Sequence, residues 1–384
     1  MIIGIDASML VYQGSGVANY TYNLIKNLLK LAPNNEYRVF YSSLRRPKSV
    51  LTQLQELRNL GGKVYCYRLP PRVLKYLWNT HHLLPIEWLM GKLDAFWSSD
   101  YLRPPLDKET LGITTVHDIT WKIFPRFHTK KIVEAHLKKM GRTILFGDLV
   151  IFDSNSTQDD VFRQFPHIQN RNVTKVIYPG IGGQYQKKLR KKDVNITLKK
   201  YGIDLSTNYL IYVGAIEPRK NLDKAVKVFA QLIKKRKYQD FKFYLVGRAG
   251  WKNEKLFRLI KRLKLKEKVK FLGFIPDRDL PALYKAARAN IYLSKYEGFG
   301  LPPIEAASCG TPTLLYANSS LKELFHSSYP YATNNTELNT LINIINNKQP
   351  ELYKTYSRKY SWKLAVKQIK KILDRENKKL EYRL

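Results

Sequence analysis

Two glutamates with seven residues between them, Glu297 and Glu305, bracket a glycine-containing loop in the stretch 293–314, LSKYEGFGLPPIEAASCGTPTL. A short apolar run before the loop predicts a buried strand. Pro302 and Pro303 predict the start of a helix, where a missing N–H costs nothing. The backbone N–H groups at the start of a helix can bind a phosphate, and glycines let a ligand approach the backbone closely. A carboxylate in the first helical turn can accept hydrogen bonds from the hydroxyl groups of a sugar or a ribose. The stretch predicts a nucleotide-sugar pocket; the alternative is an ordinary turn with exposed glutamates.

Two further places carry side chains suited to the same chemistry. The stretch 213–222, VGAIEPRKNL, follows a predicted strand, where Arg219 and Lys220 can donate to diphosphate oxygens. The alternative is a pair of solvated basic residues at a helix start. His117 ends the strand-like ITTV, a position that faces the cleft between two α/β domains. The alternative for His117 is a structural hydrogen bond.

Glycines mark two other loops. Gly14 and Gly16 lie in GSGVANY, after the first predicted strand. This is not the dinucleotide pattern, because Asn19 stands where a third glycine is required. Gly247 follows a later strand, in YLVGRAG. Alone, these glycines indicate only turns.

The elements that must position these residues alternate between strand and helix, which is typical of a parallel α/β sheet. The polar stretch 184–208 interrupts the alternation and predicts a domain boundary. Helices are predicted at Val50–Leu60, Arg72–Leu89 (with Pro85 bending or breaking it) and Trp362 to about Glu376. Strands are predicted at Ile2–Asp6, Tyr37–Tyr41, Lys63–Tyr67, Ala95–Ser98, Gly112–Val116, Leu149–Phe152, Val173–Ile177, Tyr209–Val213, Lys242–Val246, Val269–Leu272 and Ala289–Leu293.

Composition bounds the class of protein. A chain of 384 residues with 44% hydrophobic residues is expected to form two packed domains. Cys66 and Cys309 lie far apart, so a disulfide scaffold is not expected and a reducing, cytoplasmic setting is. The first residues, MIIGID, predict a buried strand, so a signal peptide is not expected, and the apolar runs are too short to predict a membrane-spanning helix. Its net charge of +36 attracts polyanions, and the charge alone does not choose between nucleic acid and an anionic membrane.

The motif EGFGLPPIEAASCGTP, together with EPRKN and FLGFIPDRDLPALYKAA, resembles the retaining, family-4 glycosyltransferases, specifically their EPRKN-type subfamily. This resemblance implies a GT-B fold, an α/β architecture of two Rossmann-like domains with a cleft between them. The expected division is an acceptor-side domain at 1–183, a linker at 184–208, a nucleotide-sugar-binding domain at 209–360, and a terminal helix at 361–384 that crosses back to the first domain.

The resemblance also implies roles for individual residues. Glu297 is expected near the donor sugar, Glu305 on the ribose, Arg219 and Lys220 on the diphosphate, and His117 on the donor sugar from the first domain. Most of the family has an arginine directly after the glycine where this chain has Ala215, so Arg219 is expected to supply that guanidinium. The donor-binding set is Gly14, Gly16, Gly247, Gly298, Phe299, Gly300, Leu301 and Glu305.

No metal or other cofactor is expected. Asp277 and Asp279 spell D-x-D, a metal motif in other glycosyltransferases, but Asp277 suits the N-cap of the following helix. Similarly, Ser154 or Ser156 is expected to cap a helix that begins near Thr157. The resemblance implies same-face substitution, in which the departing phosphate takes the acceptor proton. The expected donor is GDP-mannose, and the acceptor a glycan or lipid-linked glycan.

Two basic stretches of the first domain are candidates for peripheral membrane contact. For Pro71–Lys92 the preferred interpretation is a core helix with a solvated basic edge, whereas for Phe127–Arg142 the two interpretations stay open. Two other functions remain as alternatives. One is a different GT-B activity, a sugar phosphorylase or epimerase. The other is nucleic-acid binding, which is not expected because the sequence shows no nucleic-acid module.

Overall fold

The chain forms two compact units in the computed structural model, which describes residues 1–98, 100–248, 253–325 and 327–381. The first unit comprises Met1–Gly180 and Tyr360–Leu384, and the second comprises Ile181–Lys359. Residues 382–384 of the expected terminal segment lie outside the described residues. No helix within the described ranges is long and apolar enough to cross a membrane.

The first unit is built on a parallel sheet that, over the described residues, has seven strands in the order β3-β2-β1-β4-β5-β6-β7. Its strands are almost wholly buried at the centre because helices cover both faces. The chain reverses its direction of strand addition between β1 and β4, which is where open α/β sheets bind ligands. The strands are β1 Ile2–Asp6, β2 Glu36–Ser42, β3 Lys63–Tyr67, β4 Ala95–Ser98, β5 Leu111–Val116, β6 Leu149–Phe152 and β7 Thr174–Val176.

The second unit repeats this plan with a smaller parallel sheet, whose described strands run in the order β10-β9-β8-β11-β12. Here the reversal falls between β8 and β11, which pair directly. The strands are β8 Tyr209–Val213, β9 Lys242–Val246, β10 Val269–Gly273, β11 Ala289–Tyr292 and β12 Thr313–Leu315. Of these, β12 was not predicted, because three residues are too few to show a period.

The helices lie between the strands in both units. In the first unit they are α1 Gly16–Leu31, α2 Lys48–Asn59, α3 Pro71–Leu74, α4 Glu87–Met90, α5 Thr120–Ile123, α6 Lys130–Leu145, α7 Asn155–Gln164, α8 Ile168–Arg171 and, at the end of the chain, α17 Trp362–Glu381. In the second unit they are α9 Lys191–Lys200, α10 Leu222–Leu232, α11 Glu254–Arg262, α12 Leu280–Ala286, α13 Leu301–Ser308, α14 Leu321–Leu324, α15 Glu337–Asn346 and α16 Pro350–Ser357.

Helix α17 packs in the core of the first unit. Its residues Trp362, Val366 and Ile369, at helical spacing, are buried in the same cluster as Ile3 of β1. Gly180 passes so close to the start of α17 that a Cβ there would lie 2.1 Å from the Trp362 backbone nitrogen. The terminal segment is therefore held to the first unit by apolar packing and by a glycine at the point of approach.

Two predicted elements differ from the structure. The helix expected over Arg72–Leu89 is α3 continued by a π-helical stretch, Lys75–His81, and then interrupted before α4. Pro85 cannot donate a backbone hydrogen bond, and His82 precedes it in a left-handed conformation with φ of 56°. The stretch 184–208, expected as a linker, contains α9 and belongs to the second unit. Its Val194 and Leu198, four residues apart, are buried with α12 despite the polar composition around them.

Candidate active site

A buried cluster of charges lies at the carboxyl ends of β8 and β11 in the second unit. Lys220 Nζ lies 2.7 Å from Glu297 Oε1 and 2.9 Å from Oε2. Arg219 Nη1 donates to Glu297 Oε2 at 3.0 Å. Both basic residues come from a 3₁₀ turn, Pro218–Lys220, after β8, and Glu297 comes from the loop after the neighbouring β11. The structure thus brings three of the expected site residues into direct contact.

Two residues that the sequence interpretation did not assign complete this cluster. Glu217 Oε1 accepts from Arg219 Nε and Nη2 at 3.2 and 2.9 Å, and Tyr292 OH accepts from Lys220 Nζ at 2.8 Å. The position of Glu217 inside EPRKN was an available signal, because a carboxylate two residues from an arginine can hold it. Tyr292 ends a strand, and nothing in its sequence context distinguishes it from a core aromatic.

The charge state of Glu297 follows from its partners. Burial disfavours a charged carboxylate, yet Arg219 and Lys220 outweigh burial and lower the pKa of Glu297 to about 2. Burial and the neighbouring guanidinium lower the pKa of Lys220, against the attraction of Glu297. The cluster is therefore a set of desolvated ions whose charges depend on one another.

The loop from Gly298 to Gly300 is fixed by two serines. Ser319 Oγ accepts from the Glu297 backbone N–H at 2.9 Å, and Ser320 Oγ lies 2.9 Å from the Glu297 carbonyl and 2.7 Å from that of Phe299. Gly300 has a φ of 104°, where a Cβ would also meet the Leu321 side chain. Leu301 then begins α13 with two prolines in its first turn, as predicted.

Glu305 lies in a different environment from Glu297. It was expected in the first helical turn, but α13 begins at Leu301, so Glu305 is its fifth residue and lies in the second turn. Its carboxylate is buried and lies 3.5 Å from Tyr284 OH. Burial, with a contribution from the negative charge of Asp277, raises the pKa of Glu305 to about 8. At neutral pH this side chain is mainly a neutral carboxylic acid.

Gly247 lies on the same edge of the second sheet, at the end of β9. Its φ is 139°, and a Cβ would lie 2.0 Å from the carbonyl oxygen of Gly214, at the end of β8. Only glycine allows the two loops to pass this closely. Gly247 thus shapes the backbone next to the loop that carries Arg219 and Lys220.

His117 lies in the first unit, at the end of β5. Its Nδ1 is 2.6 Å from Oδ2 of Asp153, which follows the neighbouring strand β6. The ring of Tyr20 packs edge-on against it, with centroids 4.7 Å apart. Burial, the largest single effect, would lower the pKa of His117, but the charge and hydrogen bond of Asp153 together with the charge of Asp100 outweigh it and raise the pKa. Asp153 was missed by the sequence interpretation, although an acidic residue directly after the apolar strand LVIF was a usable signal.

Gly14 and Gly16 flank the start of α1. Gly14 has a φ of 76°, which a turn with glycine tolerates at no steric cost. Gly16 is the first residue of α1, and Ser15 caps the helix by accepting from the Ala18 N–H at 3.1 Å. Since Tyr20 of α1 contacts His117, this loop and His117 belong to the same end of the first sheet.

The capping predictions gave two different outcomes. Ser154 caps α7, since its Oγ accepts from the Thr157 N–H at 3.0 Å, which confirms the expectation for that residue. Asp277 does not cap α12; Asp279 directly precedes the helix, with its carboxylate held by Lys200 and Tyr201. Within the described ranges, no group of three or more His, Cys, Asp or Glu side chains is arranged to hold a metal ion.

Comparison with known proteins agrees with this geometry. Residues 193–382 match the family model of glycosyl transferases group 1. This part of the chain is a glycosyl transferases group 1 domain. It contains most of α9 and all of α10 to α17, together with the whole Arg219–Lys220–Glu297 cluster.

Relatives and solved structures extend the comparison beyond this domain. The O-antigen chain mannosyltransferase B of Escherichia coli is 27% identical over 323 residues, covering 82% of this chain and 81% of the relative. The O-antigen chain mannosyltransferase RfbU of Salmonella typhimurium is 26% identical over 332 residues, covering 81% of each. The structure of sucrose-phosphate synthase from Thermosynechococcus elongatus matches with a TM-score of 0.73 at 15% identity, covering 98% of each chain. The predicted GT-B fold is confirmed, and the relatives support glycosyltransferase activity.

Proposed function

We propose that this protein is a retaining, metal-independent glycosyltransferase that moves a hexose from a nucleotide-diphospho-sugar to a glycan or lipid-linked acceptor. The observation that carries the proposal is the buried cluster of Arg219, Lys220 and Glu297 at the strand reversal of the second sheet. Two desolvated cations at the carboxyl ends of parallel strands suit a diphosphate, because charge-assisted hydrogen bonds to phosphate strengthen where water is excluded.

In this proposal the two cations bind the diphosphate and stabilise the charge that develops on it as the sugar departs. The Arg219 guanidinium supplies the positive charge that most of the resembled family carries after the glycine, and Glu217 fixes its orientation. Glu297 holds the two cations together and lies next to the sugar of the bound donor. The departing phosphate takes the proton of the acceptor hydroxyl, on the same face of the sugar.

Glu305 binds the ribose. Its raised pKa means that it acts as a neutral carboxyl group, which can both donate to and accept from a hydroxyl. An ionised carboxylate could only accept. Burial next to Tyr284 thus gives this glutamate a recognition role without placing a second negative charge near the diphosphate.

His117 contacts the donor sugar through Nε2, because Asp153 occupies Nδ1. A carboxylate on one ring nitrogen fixes the tautomer and the orientation of an imidazole. Asp153 is therefore a positioning residue in this proposal. The glycine loop after β1, with Gly14 and Gly16, contributes backbone close to the donor.

The favoured donor is GDP-mannose, since two relatives that cover four fifths of the chain are named mannosyltransferases. By the same reasoning the product belongs to polysaccharide biosynthesis. We also propose a cytoplasmic location with peripheral contact to a membrane, which suits a lipid-linked acceptor.

The test is thermal unfolding of the whole protein with GDP, UDP, ADP and dTDP and their common sugars, with and without EDTA. A ligand that binds only the folded state raises the melting temperature, by an amount equivalent to about 2.7 kcal/mol at a hundred times its Kd. We expect a shift with one nucleotide family, unaffected by EDTA and absent in Lys220→Ala. Lys224→Ala, which loses an ion pair to Glu337 nearby, is the matched control and should keep the shift. A flat response to every nucleotide in folded protein contradicts the proposal.

A further inference from the structure

A small cavity of the first unit lies at the carboxyl ends of β1, β4 and β5. Its lining includes Asp6 at the end of β1, Ser98 at the end of β4, and Asp100 two residues further on. Thr115 of β5 and His117, which follows β5, complete this polar lining. The strand order reverses between β1 and β4, which is where open α/β sheets bind ligands. The cavity measures about 20 Å³, which is room for one water-sized group.

Ser98 brings an unsatisfied hydroxyl group to this cavity. Its side chain is buried, with 6% exposed, and its Oγ has no hydrogen-bond partner within the part of the chain that the structure describes. Thr115 differs, because its Oγ1 accepts from Trp97 Nε1 at 2.9 Å and lies 3.3 Å from Tyr20 OH. Buried polar groups in folded proteins are almost always hydrogen-bonded. The hydroxyl of Ser98 therefore indicates a partner group inside the cavity.

Asp100 brings an ionised carboxylate to the same cavity. Burial would raise the pKa of this carboxylate, but the nearby basic side chains of His136, His117 and Lys139 outweigh burial and lower the pKa. His136 Nε2 lies 4.0 Å from Asp100 Oδ2, which is too far for a hydrogen bond. Lys139 Nζ donates to the backbone carbonyl of Asp100 at 3.1 Å. Since the two oxygens of a carboxylate can accept about four hydrogen bonds, Asp100 has capacity for a ligand.

A neutral hydroxyl group fits these two partners better than an ion does. It can donate a hydrogen bond to the carboxylate of Asp100 and accept one from the hydroxyl of Ser98 at the same time. The negative charge of Asp100 opposes an anion at this place, and the basic side chains of His136 and Lys139 oppose a cation. The cavity also adjoins His117, the residue of this unit that the proposed function places on a sugar.

We propose that this cavity holds one hydroxyl group of a bound hexose, which Asp100 and Ser98 anchor. It rests on the proposed function, because both substrates named there are sugars, and it adds two residues that determine which sugar is accepted. The hydroxyl belongs either to the hexose of the donor or to the acceptor sugar. A sugar without this hydroxyl leaves both anchoring groups unpaired, so the site discriminates against it.

The experiment measures the affinity of the full chain for three probes. Isothermal titration calorimetry gives the affinities of GDP and GDP-mannose, and nuclear magnetic resonance gives that of methyl α-mannoside. The resonance to follow is the indole N–H of Trp97, which also lines the cavity and is assigned with Trp97→Phe. If the hydroxyl is the donor's, Asp100→Asn should weaken GDP-mannose at least about tenfold and leave GDP, which has no hexose, unchanged. If it is the acceptor's, both nucleotides should bind normally and methyl α-mannoside should weaken by that factor.

The matched control is Asp118→Asn. It removes the same charge from the loop directly after His117, where the carboxylate accepts from the N–H of Thr120 at 2.9 Å. It should change each of the three affinities by less than about twofold.

Two variants of Ser98 test the hydrogen bond and the space separately, without a change of charge. Ser98→Ala removes the hydroxyl and keeps the room, so the affinity that Asp100→Asn lowers should fall about three- to tenfold. Ser98→Thr keeps the hydroxyl, but its added methyl takes up space in a cavity of water size, so the loss should be at least as large. Circular dichroism and melting temperatures check that every variant folds.

The proposal is overturned if the folded Asp100 and Ser98 variants bind GDP-mannose and methyl α-mannoside like wild type, since the cavity then holds water alone. It is also overturned if Asp118→Asn lowers the affinities as much as Asp100→Asn does. Failure of wild type to bind either nucleotide would contradict the proposed function instead. The Trp97 signal then still tests the cavity, and no response of that signal to methyl α-mannoside overturns the proposal as well.

Discussion

Glu297 and Glu305 belong to one motif and are similarly buried, with exposed fractions of 5% and 7%, yet their pKa values are shifted in opposite directions. Two cations lower the pKa of Glu297 to about 2. Glu305 has Tyr284 and the negative charge of Asp277 nearby, and its pKa rises to about 8. Burial disfavours the charged form of both, so the difference comes from their partners. The motif therefore fixes where the two glutamates lie in the sequence, whereas the side chains that the fold packs around each one determine its pKa.

The first unit contains a buried carboxylate, Asp153, in a third kind of environment. There the carboxylate of Asp153 is paired with a histidine rather than with permanent cations, at a separation of 2.6 Å. Arg219 stays charged at every physiological pH and Glu297 stays ionised beside it, whereas His117 can gain or lose its proton. The second unit therefore holds fixed charge, suited to a diphosphate, and the first unit holds a titratable pair.

The largest effect on sugar transfer is expected from removing one of the two cations that pair with Glu297. Lys220→Ala leaves Glu297 with Arg219 alone and removes a donor to the proposed diphosphate. We expect sugar transfer to fall by about a thousandfold, in the range seen when a charge-stabilising group is deleted. Turnover of the nucleotide-sugar, measured once thermal unfolding has identified the base, checks this.

Lys224→Ala is the control for that loss. Lys224 lies in the first turn of α10, and its Nζ is 2.8 Å from Glu337 Oε1, so its removal also breaks an ion pair of a buried carboxylate. We expect a lower melting temperature with nearly normal turnover. Equal losses of turnover in both variants would mean that the cluster supports the fold and not the reaction.

Neutralising Glu297 and Glu305 in separate variants should change the free energy of unfolding by different amounts. Glu297→Gln leaves two desolvated cations without their common partner, and breaking a buried pair costs about 3–5 kcal/mol. Glu305→Gln replaces a group that at pH 7 is mainly neutral in the folded chain but ionised in the unfolded chain, so we expect no loss of stability and a gain of up to roughly 3 kcal/mol. Urea unfolding at pH 7 measures both. If Glu305→Gln were the more destabilising, Glu305 would be ionised and the assigned environments would be wrong.

The sequence predicted the parallel α/β order and most strand limits, because apolar runs fix positions along the chain. The resemblance assigned Arg219, Lys220 and Glu297 to one donor site, but it did not predict their ion pairs. It did not predict the environment of Glu305, since Tyr284 and Asp277 reach it only through the fold. Asp153 was missed for a related reason, because its pairing with His117 joins two strands 36 residues apart. The linker at 184–208 was misjudged because two apolar residues, Val194 and Leu198, are enough to bury one face of a helix.

The contributions of Glu305 and Glu297 to the free energy of unfolding should change with pH in opposite directions. The folded chain keeps a proton on Glu305 up to about pH 8, while the unfolded chain loses it near the ordinary value of 4.5. Stability from this group is therefore present below about pH 4.5 and is lost as the pH rises to 8, at up to roughly 1.4 kcal/mol per pH unit. Glu297 stabilises above about pH 4.5 and loses this effect as the pH falls toward 2.

The difference in unfolding free energy between wild type and Glu305→Gln, followed from pH 5 to pH 8, isolates the first effect. We expect the stability of wild type relative to the variant to fall as the pH rises, at up to roughly 1.4 kcal/mol per pH unit. Glu337→Gln serves as the control, because its ion pair with Lys224 lowers the pKa of Glu337 and should give a difference that is constant over this range. A constant difference for Glu305→Gln as well would show that Glu305 is ionised throughout.

Asp153→Asn should give the smallest effect and sharpen the contrast between the units. The amide oxygen can still accept from His117 Nδ1, but the negative charge that raises the pKa of His117 is lost. Burial and Lys139 both lower that pKa, against the charge of Asp100, so the pKa should fall below its ordinary value of 6.5. Nuclear magnetic resonance titration of the imidazole measures the fall, and turnover should drop roughly ten- to a hundredfold through looser orientation.

The control is Asp118→Asn, whose carboxylate instead accepts from the N–H and hydroxyl of Thr120 at 2.9 and 2.7 Å. It removes the same charge from the loop directly after His117 without touching the hydrogen bond to the ring. If both variants lowered the pKa of His117 and the turnover equally, the general field of the first unit would control the histidine. If Asp153→Asn lowered the turnover but left the pKa of His117 nearly unchanged, the role of Asp153 would be to orient the imidazole ring.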